Sequence, residues 1–590
     1  MRYLVTTLAV ALAAAGARAQ VRHVEPSERS ASVGLDLPFE PDLDRALARA
    51  GREGRLVLWA PPTVPRSPMD RKQICDLYLR SALFAEPGLR PLLARYVLYR
   101  GEPTAAQAKR FDLVPFHLVE PGWVVLDSEG KERDRLHAVG TFCVPWLRRR
   151  LAAPLSDADR REAARAGGEL EGWLQAMAAG RFEVTAGDGE ASPARLWYAA
   201  VSSFEPGGRA EATALLPRLA EADAPGSLGA RAALELERFG PLGRGFLRYT
   251  APLDGAGLDG RSTSFSVPLD RLPEVRAAAL AYLLRMQRED GGYEDSNYDF
   301  GGLDSLPNVY VAGTALALLA MLRHRAELGE RAGPALRRGI AYVLDEHKRA
   351  DGDEDEWIFA RIYALELVAA LRGGDLAGLG VDEARLGREA GAILAELRER
   401  QGKDGAFRHE YANPFVTAST LHSLALARDA GIDVPKELVD PALAALARVR
   451  SKDGAYPYTM ARGRASVPAA AGRMPLCEGA LLAWERSDAG RLGEALGQSF
   501  RHHDELEHVR RYDDHAGKLG LGGFFYWYDQ YGRRLAIDRL GADGAPWRAR
   551  LVRQVLDLVE LDGSFVDSHE LGKSYGTAMA LLCLPPAGSR

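Results

Sequence analysis

An Asp-Gly-x-aromatic phrase, each time followed by an apolar helix rich in glycine and alanine, returns four times in the C-terminal half of this chain. It reads Gln287-Arg288-Glu289-Asp290-Gly291-Gly292-Tyr293, Gln401-Gly402-Lys403-Asp404-Gly405-Ala406-Phe407, Asp453-Gly454-Ala455-Tyr456 and Asp562-Gly563-Ser564-Phe565. The glycine suits a turn with positive φ, and the aromatic ring plugs the gap between neighbouring hairpins. Asp-Gly or an equivalent turn falls near residues 290, 351, 404, 453, 514 and 562, which predicts six helical hairpins of roughly fifty residues each. In each hairpin an outer helix, such as 275–287 or 386–401, carries charge on one face. The inner helix after the turn is apolar nearly all round, as in 311–322, 358–371, 415–427, 476–484 and 573–584. A helix apolar on every side must be enclosed by protein. Small residues such as Gly313, Ala360, Ala418, Gly479 and Gly576 let such helices pack closely, and six of them inside six amphipathic ones close into a double-walled α/α barrel.

Gln-x-x-Asp-Gly-x-aromatic before an alanine-rich helix resembles the QW repeat of the terpenoid cyclase and protein prenyltransferase superfamily, with Tyr or Phe replacing the usual Trp. The resemblance covers roughly residues 265–586 and implies an α/α toroid with prenyltransferase and squalene cyclase-like repeats. It does not choose a reaction, because the same toroid hosts cyclases, zinc-dependent transferases, thioester domains and carbohydrate enzymes.

Residues 42–152 alternate helical and extended patterns. Strands are expected at 55–60, 96–99 and 122–127, with helices at 42–51, near 72–84, and through Trp146 and Leu147. This order resembles the thioredoxin fold, and Trp59-Ala60-Pro61-Pro62-Thr63-Val64-Pro65-Arg66 overlays that family's Trp-Ala-x-x-Cys-Gly-Pro-Cys. Thr63 and Arg66 stand where the two thiols would be, and disulfide exchange has no substitute for a thiolate. A redox-inactive scaffold or docking module is expected. Pro121 sits where the family places its cis-proline, and a trans turn proline is the alternative. Residues 156–243 read as a connector of about four helices.

Residues 1–19 combine Arg2, an apolar run and the triplet Ala17-Arg18-Ala19, the pattern of a cleaved signal peptide, so an exported protein (periplasmic or extracellular) is expected. No later segment reads as membrane-spanning. With 76 basic against 81 acidic residues there is no electrostatic invitation to nucleic acid. Four cysteines do not make a disulfide scaffold. A Cys75–Cys143 bridge and two buried free thiols both remain open.

Acid-initiated terpenoid cyclisation needs a protonated carboxylic acid, which the resembled family supplies as Asp-x-Asp-Asp at the start of an inner helix. Asp351-Gly352-Asp353-Glu354-Asp355-Glu356 stands there in an altered pattern, making Asp353, Asp355 and Glu356 the catalytic candidates. The alternative is an acidic turn favoured by the helix dipole. Phe524-Phe525-Tyr526-Trp527-Tyr528 offers aromatic faces, but five consecutive residues of a helix cannot all face one cavity. Zinc-dependent prenyl transfer would need Asp-x-Cys, and Pro475 and Leu581 stand two residues before Cys477 and Cys583. A thioester would need Cys-Gly-Glu-Gln, whereas the chain has Cys477-Glu478-Gly479-Ala480.

A carbohydrate-active lyase or hydrolase would use acids at loop-to-helix junctions, among them Asp304, Glu410, Glu478 and Asp529 with His569, and rings at Tyr310, Trp357, Tyr411, Tyr528 and Tyr575. His409-Glu410 and His569-Glu570 lack metal-ligand spacing, and no nucleotide-binding loop occurs, so neither metal nor cofactor is expected. The sequence thus predicts a multidomain protein: an α/β thioredoxin-like domain, a helical connector and an all-α toroid of six α/α units. Its expected function is to bind a protein segment or an elongated isoprenoid or glycan ligand in the toroid cavity, with a toroid enzyme as the alternative.

Overall fold

A computed structural model of the chain describes residues 27–62, 76–77, 80–111, 113, 122–136, 144–178, 183–187, 190–203, 209–238, 269–294, 296, 306–345, 356–372, 374–461, 465–503, 506, 525–559, 563–565, 567 and 571–588. The expected leader, Thr63, Arg66, Pro121, Cys75, Cys143 and the turns near 351 and 514 lie outside these residues.

The N-terminal sheet contains β1 (Phe39–Glu40), β2 (Leu56–Trp59), β3 (Tyr96–Tyr99), β4 (Trp123–Leu126) and β5 (Glu132–Leu136), in the order β1-β3-β2-β4-β5. The first three run parallel, β4 lies antiparallel to β2, and β5 antiparallel to β4. Successive side chains serve opposite faces. Val57, Trp59, Val97, Tyr99, Val124 and Leu126 pack against α1 (Leu43–Glu53), while Leu58, Leu98, Trp123 and Val125 join the core reached by α2 (Val144–Ala152). Burial on both faces is why these strands read as unbroken apolar runs. Two strands escaped the sequence reading: β1 is two residues long, and β5 reads Glu-Arg-Asp-Arg-Leu, the charged composition of a sheet edge. Asp42 caps the start of α1 through the Arg45 N–H at 2.8 Å, and Gly54 ends it at φ 64°.

Among the described residues the connector has five helices: α3 (Asp157–Gly167), α4 (Glu169–Ala178), α5 (Pro193–Ser202), α6 (Arg209–Ala222) and α7 (Ser227–Arg238). It shares an apolar cluster with the sheet region, and that contact also has a polar centre. Glu86, fully buried, accepts from Tyr198 OH at 2.5 Å and from Trp197 Nε1 and Arg231 at 3.3 Å each. Glu235, one turn beyond Arg231, is enclosed, and burial pushes its carboxyl up to about 8 against the pull of the Arg231 guanidinium 3.9 Å away. Below its ordinary value of 4.5 the folded and unfolded chains both hold this proton. As pH rises from there toward 8, the unfolded chain releases it first, so stability falls across that window. Urea unfolding at pH 5.5 and pH 8 should show this decline, and Glu235→Gln should flatten it.

The C-terminal region alternates outer and inner helices. The outer ones are α8 (Leu272–Met286), α10 (Ala332–Val343), α12 (Glu383–Arg400), α14 (Lys436–Val449), α16 (Ala489–Arg501) and α18 (Ala545–Leu556). The inner ones are α9 (Leu306–Arg323), α11 (Trp357–Arg372), α13 (Pro414–Asp429), α15 (Met474–Ala483), α17 (Tyr526–Arg539) and α19 (Gly572–Cys583). The inner helices touch in a cycle: α9 on α11, then α13, α15, α17 and α19, with α19 back on α9. Each outer helix packs on the inner helix preceding it in the chain, and the first, α8, covers the last, α19.

The repeated phrase makes the joints between hairpins. Tyr293, Phe407 and Phe565 each donate their backbone N–H to an inner-helix threonine, Thr314, Thr417 and Thr577, at 3.0 Å. Gln287 Nε2 donates to Gly291 O and onward to Ala335 O of α10, and Gln401 Nε2 donates to Gly405 O and to Leu438 O of α14. The turn glycines lie so close to the next outer helix that a Cβ on Gly291 would stand 2.3 Å from the Arg338 carbonyl, and one on Gly405 2.2 Å from Pro441 O. At Gly563 the neighbour is Ala278 of α8, at 2.6 Å, which joins the last hairpin to the first.

The inner helix missing from the sequence reading is α17. It carries Asp529, Gln530, Arg533 and Arg534, yet it is as enclosed as its neighbours. Arg533 shows how: its guanidinium donates to Ser499 Oγ at 2.7 Å, Ser499 O at 2.6 Å and Gln530 Oε1 at 2.9 Å, and lies 4.6 Å from the Phe500 ring centroid. Enclosure by paired polar groups is invisible to a search for apolar stretches.

Candidate functional site

Where α9, α11, α17 and α19 begin, they enclose a cavity of about 60 Å³. Val309, Ala312, Gly313 and Leu316 of α9 form one wall, and Phe359 and Tyr363 of α11 the next. Tyr528 of α17, Tyr575 of α19 and the preceding residues Phe525 and Leu571 close it, with Tyr293 of the first repeated turn at the side. The inner helices needed small residues to approach one another. Gly313 here leaves space instead: a methyl group on it would meet no atom within 4 Å.

Among the described residues the lining carries one carboxyl, that of Glu356 just before α11, and it is buried. His409 Nδ1 lies 3.5 Å from it, and the His409 ring stands edge-on to Phe359 at 5.5 Å. His409 is held in a short hairpin of β6 (Arg408–His409) and β7 (Tyr411–Ala412), whose tip residue Glu410 adopts φ 57°. A left-handed backbone at a glutamate is sterically unfavourable, and the hairpin pairing on either side maintains it.

A second polar layer lies one helical turn deeper. Glu366 of α11, three residues beyond Tyr363, accepts from Ser423 Oγ of α13 at 2.7 Å and from Tyr531 OH of α17 at 2.6 Å. Burial raises the Glu366 carboxyl, while Tyr531, Ser423 and Arg534 pull it down. Tyr528 hydrogen-bonds Ser419 and the Phe415 carbonyl, so α11, α13 and α17 are joined beneath the cavity. Burial also raises the phenols of Tyr363 and Tyr575 well above their ordinary value, which keeps them neutral.

Of the residues nominated from sequence, Glu356, Tyr528 and Tyr575 meet on this cavity. Tyr310 is buried on α9, donating to Ser296 O at 3.3 Å. Asp529 is also buried; its charge opposes the burial that lowers the Arg473 guanidinium to about 10. Tyr411 is 42% exposed, at the end of a row of rings through Tyr458 and Phe415 to Tyr528. Asp353, Asp355 and His569 lie outside the described residues.

Two other nominated residues do not line this cavity. Trp357 turns toward the outer layer, where the Arg400 guanidinium of α12 covers its ring at 4.7 Å. Glu478 faces away from the cavity and is held by Arg450, Tyr456 OH and Ser487 Oγ at 2.5–2.6 Å, the bonding of a structural anchor. Glu366 and Tyr531 were not nominated as site residues. Their signal is a lone glutamate in an otherwise apolar stretch of helix, whose carboxyl must find its partners on other helices.

No family model matches the chain, and no curated protein matches it. Among solved structures it is similar to the unliganded type II terpene cyclase MstE from Scytonema, with 18% identity and a TM-score of 0.32 over 51% of this chain and 82% of that one. A variant of the same cyclase in complex with geranylgeranyl dihydroxybenzoate gives 16% identity and a TM-score of 0.34, over 53% and 97% of the two chains. These likenesses are distant. Among the described residues, no helix is long and apolar enough to cross a membrane and no group of three or more His, Cys, Asp or Glu side chains is placed to hold a metal ion.

Proposed function

We propose that this chain is an exported protein whose C-terminal region is an α/α toroid of the terpenoid cyclase and prenyltransferase repeat type, and that it binds the apolar end of an elongated ligand in the cavity at the mouth of the inner helices. The closed cycle of inner helices supports the toroid reading, and the β1-β3-β2-β4-β5 sheet supports a thioredoxin-like scaffold. The lining of the cavity carries the functional reading: aliphatic and aromatic side chains surround an open space, with the Glu356 carboxyl to orient what enters. Magnitude limits the guest. A dry cavity of about 150 Å³ accepts benzene, so 60 Å³ holds the end of a chain rather than a folded polyene.

Farnesol titrated into the mature protein should therefore release or absorb heat and raise Tm, because a ligand that binds only the folded state stabilises it. Gly313→Val should abolish both effects while leaving the unliganded melting temperature within a few degrees, since the new methyl groups occupy the open space. Farnesol binding that survives Gly313→Val would remove the cavity from the proposal, and no binding of farnesol or squalene would remove the ligand class.

A second reading, acid-initiated cyclisation, is favoured by the placement of Glu356 in an aromatic wall beside His409. It predicts cyclised products from squalene or geranylgeraniol by mass spectrometry, reduced about 100-fold or more in Glu356→Gln.

A further inference from the structure

The joints between hairpins follow a rule with one exception among the described turns. At Gly291, Gly405 and Gly563 the next outer helix presses on the glycine, and at the first two a glutamine bridges to that helix. At Gly454 a Cβ would meet only Met474 Cε, at 3.6 Å, and nothing from α16. The position of the bridging glutamine is taken by Arg450, which pairs instead with Glu478 of the inner helix α15 at 2.5 Å. The outer helix α16 instead packs toward the following hairpin, where Phe500 stacks on Trp547 at 5.3 Å. A groove of about 590 Å³ is left between α14 and α16.

We propose that this open joint is a docking site for a partner segment bearing two carboxylates with a cationic side chain between them. Arg491, Glu494, Gln498 and Arg501 fall on one face of α16 and line the groove, with an arginine at each end and a glutamate near the first. Their span is about 15 Å at 1.5 Å per residue, the reach of an extended peptide of about five residues. Lys452 and Asp453 line the opposite bank, and Arg491 keeps an exposed pairing with Asp488 at 3.5 Å. Among the described residues Lys452 and Arg501 have no carboxylate partner, and Glu494 has no cationic one. Among the described residues no aromatic side chain lines the groove, which disfavours a glycan. Alternating charge selects a sequence and an orientation by electrostatic complementarity.

The probe is fluorescein-labelled Glu-Ala-Lys-Ala-Glu, compared with Lys-Ala-Glu-Ala-Lys by anisotropy against the full mature chain. The first peptide should bind at least tenfold tighter and weaken between 50 and 300 mM salt, and Arg491→Glu with Arg501→Glu should reverse the preference. Both substituted sites are exposed, so the double variant should melt with the wild type. Equal affinity for the two peptides, or a preference unchanged in the double variant, would overturn the site. Self-association of the unliganded chain that the double variant abolishes would put a second copy in the groove and overturn the peptide occupant.

Discussion

Gly405→Ala should leave the protein largely unfolded or insoluble, whereas Gly454→Ala, the same change in the same turn of another hairpin, should be tolerated. Both glycines have positive φ, 84° and 78°, so each substitution carries the left-handed backbone penalty of about 1–2 kcal/mol. The difference is in what surrounds them. A methyl group on Gly405 is driven to 2.2 Å from Pro441 O, and carbonyl backbone in the first turns of α14 cannot swing aside like a side chain. Relieving that overlap means moving α14 outward, at a further cost of about 1–3 kcal/mol, and stretching the Gln401 bridge to Leu438 O. At Gly454 the nearest atom is the flexible end of Met474, at 3.6 Å. Chemical unfolding of the two variants should thus differ by at least 1 kcal/mol, with soluble yield following the same order. A Gly454→Ala variant as damaged as Gly405→Ala would mean that the fourth joint is closed in solution.

The repeat was legible because its parts are local: a turn requiring glycine, a ring beside it, and a helix apolar enough to need enclosure. The same locality limited the reading. Helix α17 has buried Arg533 and Asp529, and Arg533 finds partners on α16 and α18, far along the chain, so no apolar run marks the helix as inner. Strand β5 was missed for the opposite reason, since an exposed sheet edge selects for charge and hides alternation. In the site, Tyr575 was found because it begins an inner helix, and Tyr528 because it stands in the aromatic run Phe524–Tyr528. Trp357 begins one too, but a first-turn residue can face either layer, and Arg400 draws its ring outward. The direction of a side chain around a helix at its first turn depends on the loop before it, which no period of 3.6 residues specifies.

Glu366→Ala should destabilise the fold by about 3–5 kcal/mol, while Glu366→Gln should stay within about 1 kcal/mol of wild type at neutral pH. Removing the side chain leaves Ser423 Oγ and Tyr531 OH without the acceptor that they share from two other inner helices, and opens a void at the axis. Glutamine keeps an acceptor oxygen, and its amide can donate to either hydroxyl, so the three helices remain joined. The pH dependence separates a neutral carboxyl from a charged one. Because burial raises the Glu366 carboxyl above its ordinary 4.5, the unfolded chain gives up that proton first as pH rises, and wild-type stability declines as pH climbs from the ordinary value through the raised one. The Gln variant has no proton to lose there, so the gap between the two proteins should move in its favour as the solution becomes more alkaline. Denaturation midpoints from pH 5 to pH 9 measure this directly, preferably in a Glu235→Gln background so that the other buried carboxyl does not add its own slope. A gap that moved the opposite way would mean that Glu366 is held ionised by Tyr531, Ser423 and Arg534. The layer beneath the cavity would then be a charged floor, better suited to a cationic guest than to an apolar one.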